Sequence, residues 1–425
     1  MNQSFDVAIV GGGPAGSASA ILLAKAGLRV VLVEKERFPR FHIGESLLPY
    51  ANPILRDLGV WEELEAAGFM PKLGAEFVLS NSSSLQRFWF SDSLPAGYQR
   101  TFQVERARFD SILLEQAVRS GVTLFCPARV CDVSFGQDQL TLRYQEEGRG
   151  RRVDELSSFW LLDATGRDAW LARRLRLPQE PCPLPKRCAV YAHFAGVRRN
   201  DGRAEGHITI VRLPDGWAWF IPLDSVKTSV GLVQTVETFT QRRETPEEFF
   251  LRVQGEHREL SYRMRHAHRL SDYYVTADYS YRYRIVAGPR WLLLGDAAGF
   301  IDPIFSSGVT IALRSARLAA QYVRRAWLAD KRAFRQSEQA RYTRAIQDMT
   351  GVFYQMIRMF YDPKSFEVFM VPKPPLGLRQ GVLQLLAGNT EPSFWIRWRV
   401  WLFYGICWLN QRWQIVPRLS YSQAR

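Results

Sequence analysis

A glycine-rich turn near the N-terminus constrains this chain more than any other feature. An apolar run from Phe5 to Val10 leads into Gly11-x-Gly13-x-x-Gly16; an Ala- and Leu-rich stretch to Gly27 follows, and a second apolar run, Val30 to Val33, ends at Glu34. The order reads as strand, turn, helix, strand. In such a turn the first glycine permits a tight bend and the second lets the backbone approach a pyrophosphate, while the third lets helix and strand pack closely. Phosphates then sit at a helix N-terminus, where unpaired amides and the helix dipole favour negative charge. Glu34 stands where a carboxylate accepts ribose hydroxyls. Gly11, Gly13, Ala15, Gly16 and Glu34 are therefore expected to hold a dinucleotide.

With 425 residues the chain has room for two compact domains. The expected fold is α/β (α+β). A Rossmann-type nucleotide domain is expected over residues 1–70, 100–175 and 280–330, with an inserted antiparallel-sheet substrate domain over 71–99 and 176–279 and a helical, aromatic-rich region over 331–425. The alternation of apolar and polar residues around Phe77 to Phe90 and from Ala189 to Val233 carries the second sheet. Helices are expected from Ser46 to Leu58, from Phe109 to Arg119 and from Ser307 to Ala329. Cys126, Cys131, Cys182, Cys188 and Cys407 follow no metal or disulfide spacing, which points to no metal site and to a reducing, cytoplasmic setting. Phe5 lies so close to Met1 that no signal peptide is expected. A formal charge of +14, carried mostly by arginine, suits acidic partners such as an acidic carrier protein or anionic lipid, or simply solubility. No zinc-finger or RNA-binding pattern accompanies it, so nucleic acid is not an expected partner.

The choice between NAD and FAD turns on later motifs. Leu161 to Arg167, containing Asp163 and Gly166, and Gly295-Asp296 after the apolar run from Trp291 resemble the flavoproteins of the p-hydroxybenzoate hydroxylase family. The likeness runs from about Phe5 to Ala329. It implies FAD, with Asp296 on the ribityl chain and Arg106, in the segment Gln103 to Asp110, near the flavin phosphate or ribityl region.

Within that family four segments resemble flavin-dependent halogenases. Phe38 to Pro49, which contains Gly44, Glu45 and Ser46, is similar to those acting on phenols or carrier-bound substrates, and Ser46 joins the cofactor-binding set. Trp217, Trp219, Ile221 and Pro222 match a W-x-W-x-I-P pattern, whose indoles would line a passage that keeps organic substrate from the flavin and admits halide. As a bare pattern, two alternating tryptophans on a strand also fill a core face. Lys72, between Pro71 and Gly74, resembles the halogenase lysine, implied to carry hypohalous acid to the substrate; burial would favour the neutral amine this requires. Phe300 to Val309 matches F-x-x-P-x-x-S-x-G, implying a halide at Ser307 and Gly308 and flavin contacts from Pro303, Gly308 and Val309. Asp302 stands where some relatives carry an ester to the flavin methyl group; no such bond is expected here. No equivalent of the glutamate used by tryptophan halogenases is located, since Glu76 should alternate onto the opposite strand face.

The resemblance thus implies FADH2 from a separate NAD(P)H-dependent flavin reductase, a chloride or bromide ion, and an electron-rich phenolic, pyrrolic or carrier-tethered substrate. Alternatives on the same fold are an aromatic hydroxylase, a prenyl-chain reductase, and a non-catalytic carrier-protein binder. The Trp-rich segment Phe394 to Trp413, interrupted by Arg397, Arg399 and Arg412, is a poor membrane span. It is expected to pack over the substrate domain, with an interfacial membrane helix as the alternative.

Overall fold

The computed structural model describes residues 3–82, 84–181, 184–277 and 280–419; Cys182 lies outside them. The strand Gln3–Val10 lies between Asp154–Asp163 and Val30–Val33, with Trp291–Leu293 beyond the former and Thr123–Phe125 beyond the latter, all parallel. Val7, Ala8, Ile9 and Val30 to Val33 are buried, as continuous apolar runs in a parallel sheet covered on both faces must be. An antiparallel hairpin, Ala128–Phe135 with Leu140–Glu146, extends one end of the long strand Asp154–Asp163. Helix Pro14–Lys25 begins with Pro14 at its first turn, where the missing N–H costs nothing, and packs against helix Gly308–Leu328.

The second sheet runs in the order His268–Arg269, Arg187–Ala195, Thr228–Thr235, Gly216–Pro222, Ile208–Arg212, Gly74–Leu79, Leu85–Trp89. Strand alternation divides it cleanly. Ala218, Phe220, Val230 and Leu232 pack with Phe249, Phe250 and Val253 of helix Pro246–Glu256, whereas Trp217, Trp219, Ile221 and Val233 face the opposite side. Ile208–Arg212 pairs parallel with Gly74–Leu79, a departure from the all-antiparallel expectation. No hairpin joins these two strands, so their direction is set by a long connection instead of a tight turn. A two-stranded ribbon, Met70–Lys72 with Thr101–Gln103, lies between the two sheets in the chain.

Helices Gln336–Tyr361, Pro363–Phe369, Leu378–Leu386 and Phe394–Trp413 follow, and their apolar faces join the core cluster that includes Trp217 and Trp219. The helix expected from Ser46 starts later: Pro49–Ala51 is a short 3-10 turn and the helix proper is Asn52–Leu58. Ser46 instead bridges to Gln103, and Leu48 is held extended by the following Pro49.

Candidate functional site

The glycine turn is built by close backbone approach. Gly11 has φ +100°, and a Cβ there would fall 2.4 Å from the Ala164 carbonyl oxygen. At Gly16 a Cβ would fall 1.8 Å from the Gly11 carbonyl oxygen. Only glycine allows the helix to start so close to the sheet. A cavity of about 690 Å³ opens over this turn. Gly11, Gly13, Ala15 and Glu34 wall one part of it, and Ile210, Trp217, Trp219 and Ile221 another. Gly16 lies beneath the wall, packed on Gly11. The Glu34 carboxylate accepts from the Gly12 amide at 2.5 Å and from the Glu36 amide at 2.7 Å, which fixes it at the cavity edge.

The wall also carries Ser46, Arg106, Asp296, Pro303, Gly308 and Val309. Arg106 opens helix Arg106–Arg119; it donates to both Asp110 oxygens, at 2.8 and 2.9 Å, and to the Ile43 carbonyl at 2.7 Å. Burial pushes the Asp296 carboxyl up to about 6, against the pull of Arg106 and Arg167. Helix Gly308–Leu328 starts at the wall, but the side chain of Ser307, its N-cap, is buried away from the cavity; Ser306, at φ +55°, takes the wall position.

Trp217 and Trp219 are both buried, with ring centroids 5.6 Å apart. The Trp217 indole N–H donates to the Tyr361 hydroxyl at 2.9 Å, and that hydroxyl donates to Asp302 at 2.6 Å. Asp302 also accepts from the Ile304 amide and does not reach the cavity wall. Helix Gln336–Tyr361 thereby pins the tryptophan strand to the Pro303 loop. Pro222 lies beyond the cavity, where the next residue, Leu223, accepts from the Met70 amide at 3.3 Å. The tryptophan strand therefore leads from the cavity wall to the ribbon that bears Lys72.

Lys72 is 1% exposed and does not itself line the cavity. Its Nζ donates to the Ser46 hydroxyl and to the Leu47 carbonyl, each at 2.8 Å. Among the described residues no carboxylate pairs with it, and burial brings its pKa down to about 7. Ser46 touches both the cavity and this amine, and so connects the two parts of the site. Glu76 accepts from Arg87 and Arg263, which occupies both of its oxygens.

Sequence reasoning did not single out Glu45, although it sits in the Gly44-Glu45-Ser46 triplet. It is buried at the cavity wall, 2.7 Å from the His193 Nε2, and its second oxygen has no partner. Its partner lies 148 residues away, so only the triplet itself could have signalled it. Among the described residues no cluster of His, Cys, Asp and Glu is arranged to hold a metal ion.

A cavity with a glycine turn and a buried carboxylate in one part of its wall and an aromatic surface in another fits FAD. Residues 4–324 match the family model described as an FAD binding domain. The chain is 34% identical over 410 residues to a 1H-pyrrole-2-carbonyl-[peptidyl-carrier protein] chlorinase of Pseudomonas fluorescens, covering 91% of this chain and 90% of that protein. It is 32% identical to a 1H-pyrrole-2-carbonyl-[peptidyl-carrier protein] brominase of Pseudoalteromonas luteoviolacea, covering 91% and 92%. Among solved structures, the flavin-dependent brominase Bmp2 superposes with a TM-score of 0.85 at 29% identity, over 96% of this chain and 100% of that one. With the FAD cradle, the tryptophan wall and the buried lysine on one scaffold, this chain belongs to the flavin-dependent halogenases.

Proposed function

We propose that this enzyme halogenates an electron-rich pyrrole or phenol carried on an acidic carrier protein, and that Lys72 delivers the halogen. Its likeness to a pyrrolyl-carrier chlorinase and brominase supports the substrate class, and the chain's +14 charge suits an acidic carrier. A separate flavin reductase supplies FADH2. The free thiols of Cys126, Cys131, Cys188 and Cys407 suit a cytoplasmic enzyme.

Reduced FAD with oxygen supplies the two-electron oxidant that converts halide to hypohalous acid. Amides at Ser307 and Gly308, opening a 21-residue helix, favour a halide beside that cofactor. Gly11, Gly13 and Glu34 would hold the nucleotide, and Arg106 and Asp296 would hold the ribityl chain. Trp217 and Trp219 fill the wall and exclude an aromatic ring from the flavin while a molecule as small as hypohalous acid passes. The neutral Lys72 amine takes up halogen with loss of water and passes it to the ring carbon. The ring's proton leaves as the C–halogen bond forms, and the amine is regenerated.

The observation that carries this reading is the buried Lys72 amine, hydrogen-bonded to Ser46 and Leu47 and paired with no carboxylate among the described residues. The assay combines the purified protein with a flavin reductase, oxygen, bromide and a pyrrolyl-carrier or phenol substrate. A halogen isotope pattern in the product is expected. Oxygen insertion without halogen would make the protein a hydroxylase, and saturation of an alkene a reductase.

A pH dependence follows from the amine. With a pKa of about 7, half of Lys72 is neutral at that pH, and protonation removes the acting form as pH falls. Halogenated product per flavin oxidised should drop roughly fivefold between pH 7 and pH 6. A flat ratio over that range would contradict a neutral-amine carrier.

A further inference from the structure

The C-terminal helix Phe394–Trp413 buries Val400, Phe403, Cys407 and Asn410 against the preceding helices. The opposite side is bare. Phe394, Trp395, Trp398, Trp401, Trp408 and Trp413 are each between 42% and 70% exposed. Positions 394, 398, 401, 405, 408 and 412 fall on one line at helical spacing, so Phe394, Trp398, Trp401 and Trp408 form a stripe interrupted by Gly405 and ended by Arg412. Ile415 continues the exposed surface past the helix end. Soluble monomers rarely leave so many large apolar side chains contiguous and uncovered.

The charges beside the stripe identify what covers it. The helix has Arg397, Arg399 and Arg412 and no Asp or Glu. By helical geometry Arg397 borders the stripe, the Arg412 guanidinium lies 4.1 Å from the Trp408 ring centroid, and the Arg399 side chain packs on Gly377 and Gly381 at the seam with the preceding helix. Indoles with their amphipathic rings, flanked by arginines, match the headgroup layer of an anionic bilayer. A second copy would bring the same arginines face to face, and an acidic protein would pair with the arginines but leave the rings without an apolar partner. No helix among the described residues is long and apolar enough to cross a membrane, which fits a helix that lies on the surface.

We infer that this helix docks the enzyme on an anionic lipid surface, its tryptophans buried among headgroups and its arginines paired with lipid phosphates. This goes beyond the halogenation reading and does not rest on it. Val400, Phe403 and Cys407 belong to the same core cluster as Trp217 and Trp219, so the docking helix and the tryptophan strand share one packed core.

The test is co-sedimentation of the FAD-loaded full chain with vesicles of phosphatidylcholine containing phosphatidylglycerol, against phosphatidylcholine alone. Binding to the anionic vesicles is expected, weakened by salt. The combined variant Trp398→Ala, Trp401→Ala, Trp408→Ala should bind at least about tenfold more weakly while keeping its bound flavin, since its side chains lie outside the core. No binding by the native chain, or equal binding by the variant, overturns the inference; the latter would mean that net charge alone acts. So does a lipid-free dimer that the variant dissolves, which would make a second copy the occupant, or saturable binding of the stripe to an acidic carrier protein in place of vesicles.

Discussion

Lys72→Met should lower halogenated product by at least about a thousandfold, with FAD content unchanged, because methionine fills the same buried space without an amine. Lys72→Arg should fail as completely. A guanidinium stays protonated in proteins and has no lone pair to take up halogen. The two variants separate chemistry from charge, since a site that needed only a cation would accept arginine.

Stability should move the other way in the Met variant. The Lys72 pKa falls from 10.5 unfolded to about 7 folded, so the folded state disfavours the charged form. That cost is fully present below pH 7 and shrinks as pH rises toward 10.5. Lys72→Met should therefore stabilise the fold by about 1–3 kcal/mol at pH 6, with the gain fading at alkaline pH. Thermal melts across pH read this directly; a variant less stable than the native chain at pH 6 would show that the hydrogen bonds to Ser46 and Leu47 outweigh the desolvation cost.

The second large effect belongs to the cofactor cradle. In Gly16→Ala the new methyl would meet the Gly11 carbonyl oxygen at 1.8 Å, a backbone atom with no rotamer to escape into. Helix Pro14–Lys25 must then shift away from the sheet, moving the backbone amides of the glycine turn that lines the cavity. Bound flavin should fall at least about tenfold and stability by about 3 kcal/mol. Absorbance of the purified protein measures the first and a thermal melt the second; a variant with native flavin content would show that the turn tolerates a different packing.

Much of this arrangement was legible because it is local. The strand, glycine turn and helix from Phe5 to Lys25 carry their meaning in consecutive residues. Trp217, Trp219 and Ile221 share a face because strand periodicity is two. Lys72 was conspicuous in a chain poor in lysine, but its burial was not visible, since it depends on Met70–Lys72 pairing with Thr101–Gln103 and on Ser46 reaching across from another segment. The Ser46 helix misled because its apolar spacing gave no weight to the extended backbone that Pro49 imposes on its neighbour. Glu45 and His193, and Trp217 with Tyr361, are pairs made by tertiary folding, and no window of sequence contains both members. The bare face of Phe394–Trp413 was hidden for another reason: a Trp-rich run shows aromatic content at every position, and only the packed helices reveal which side stays uncovered.

In the proposed mechanism the halogen reaches substrate by way of the Lys72 amine. Its most direct measurement compares native protein and Lys72→Met for two products at once, halogenated substrate and hypohalous acid caught by a soluble trap, each per reduced flavin consumed. The variant should lose the first and release the second at the native rate of flavin oxidation. Halogenated substrate formed by the variant at the native yield, with the trap present, would contradict that mechanism.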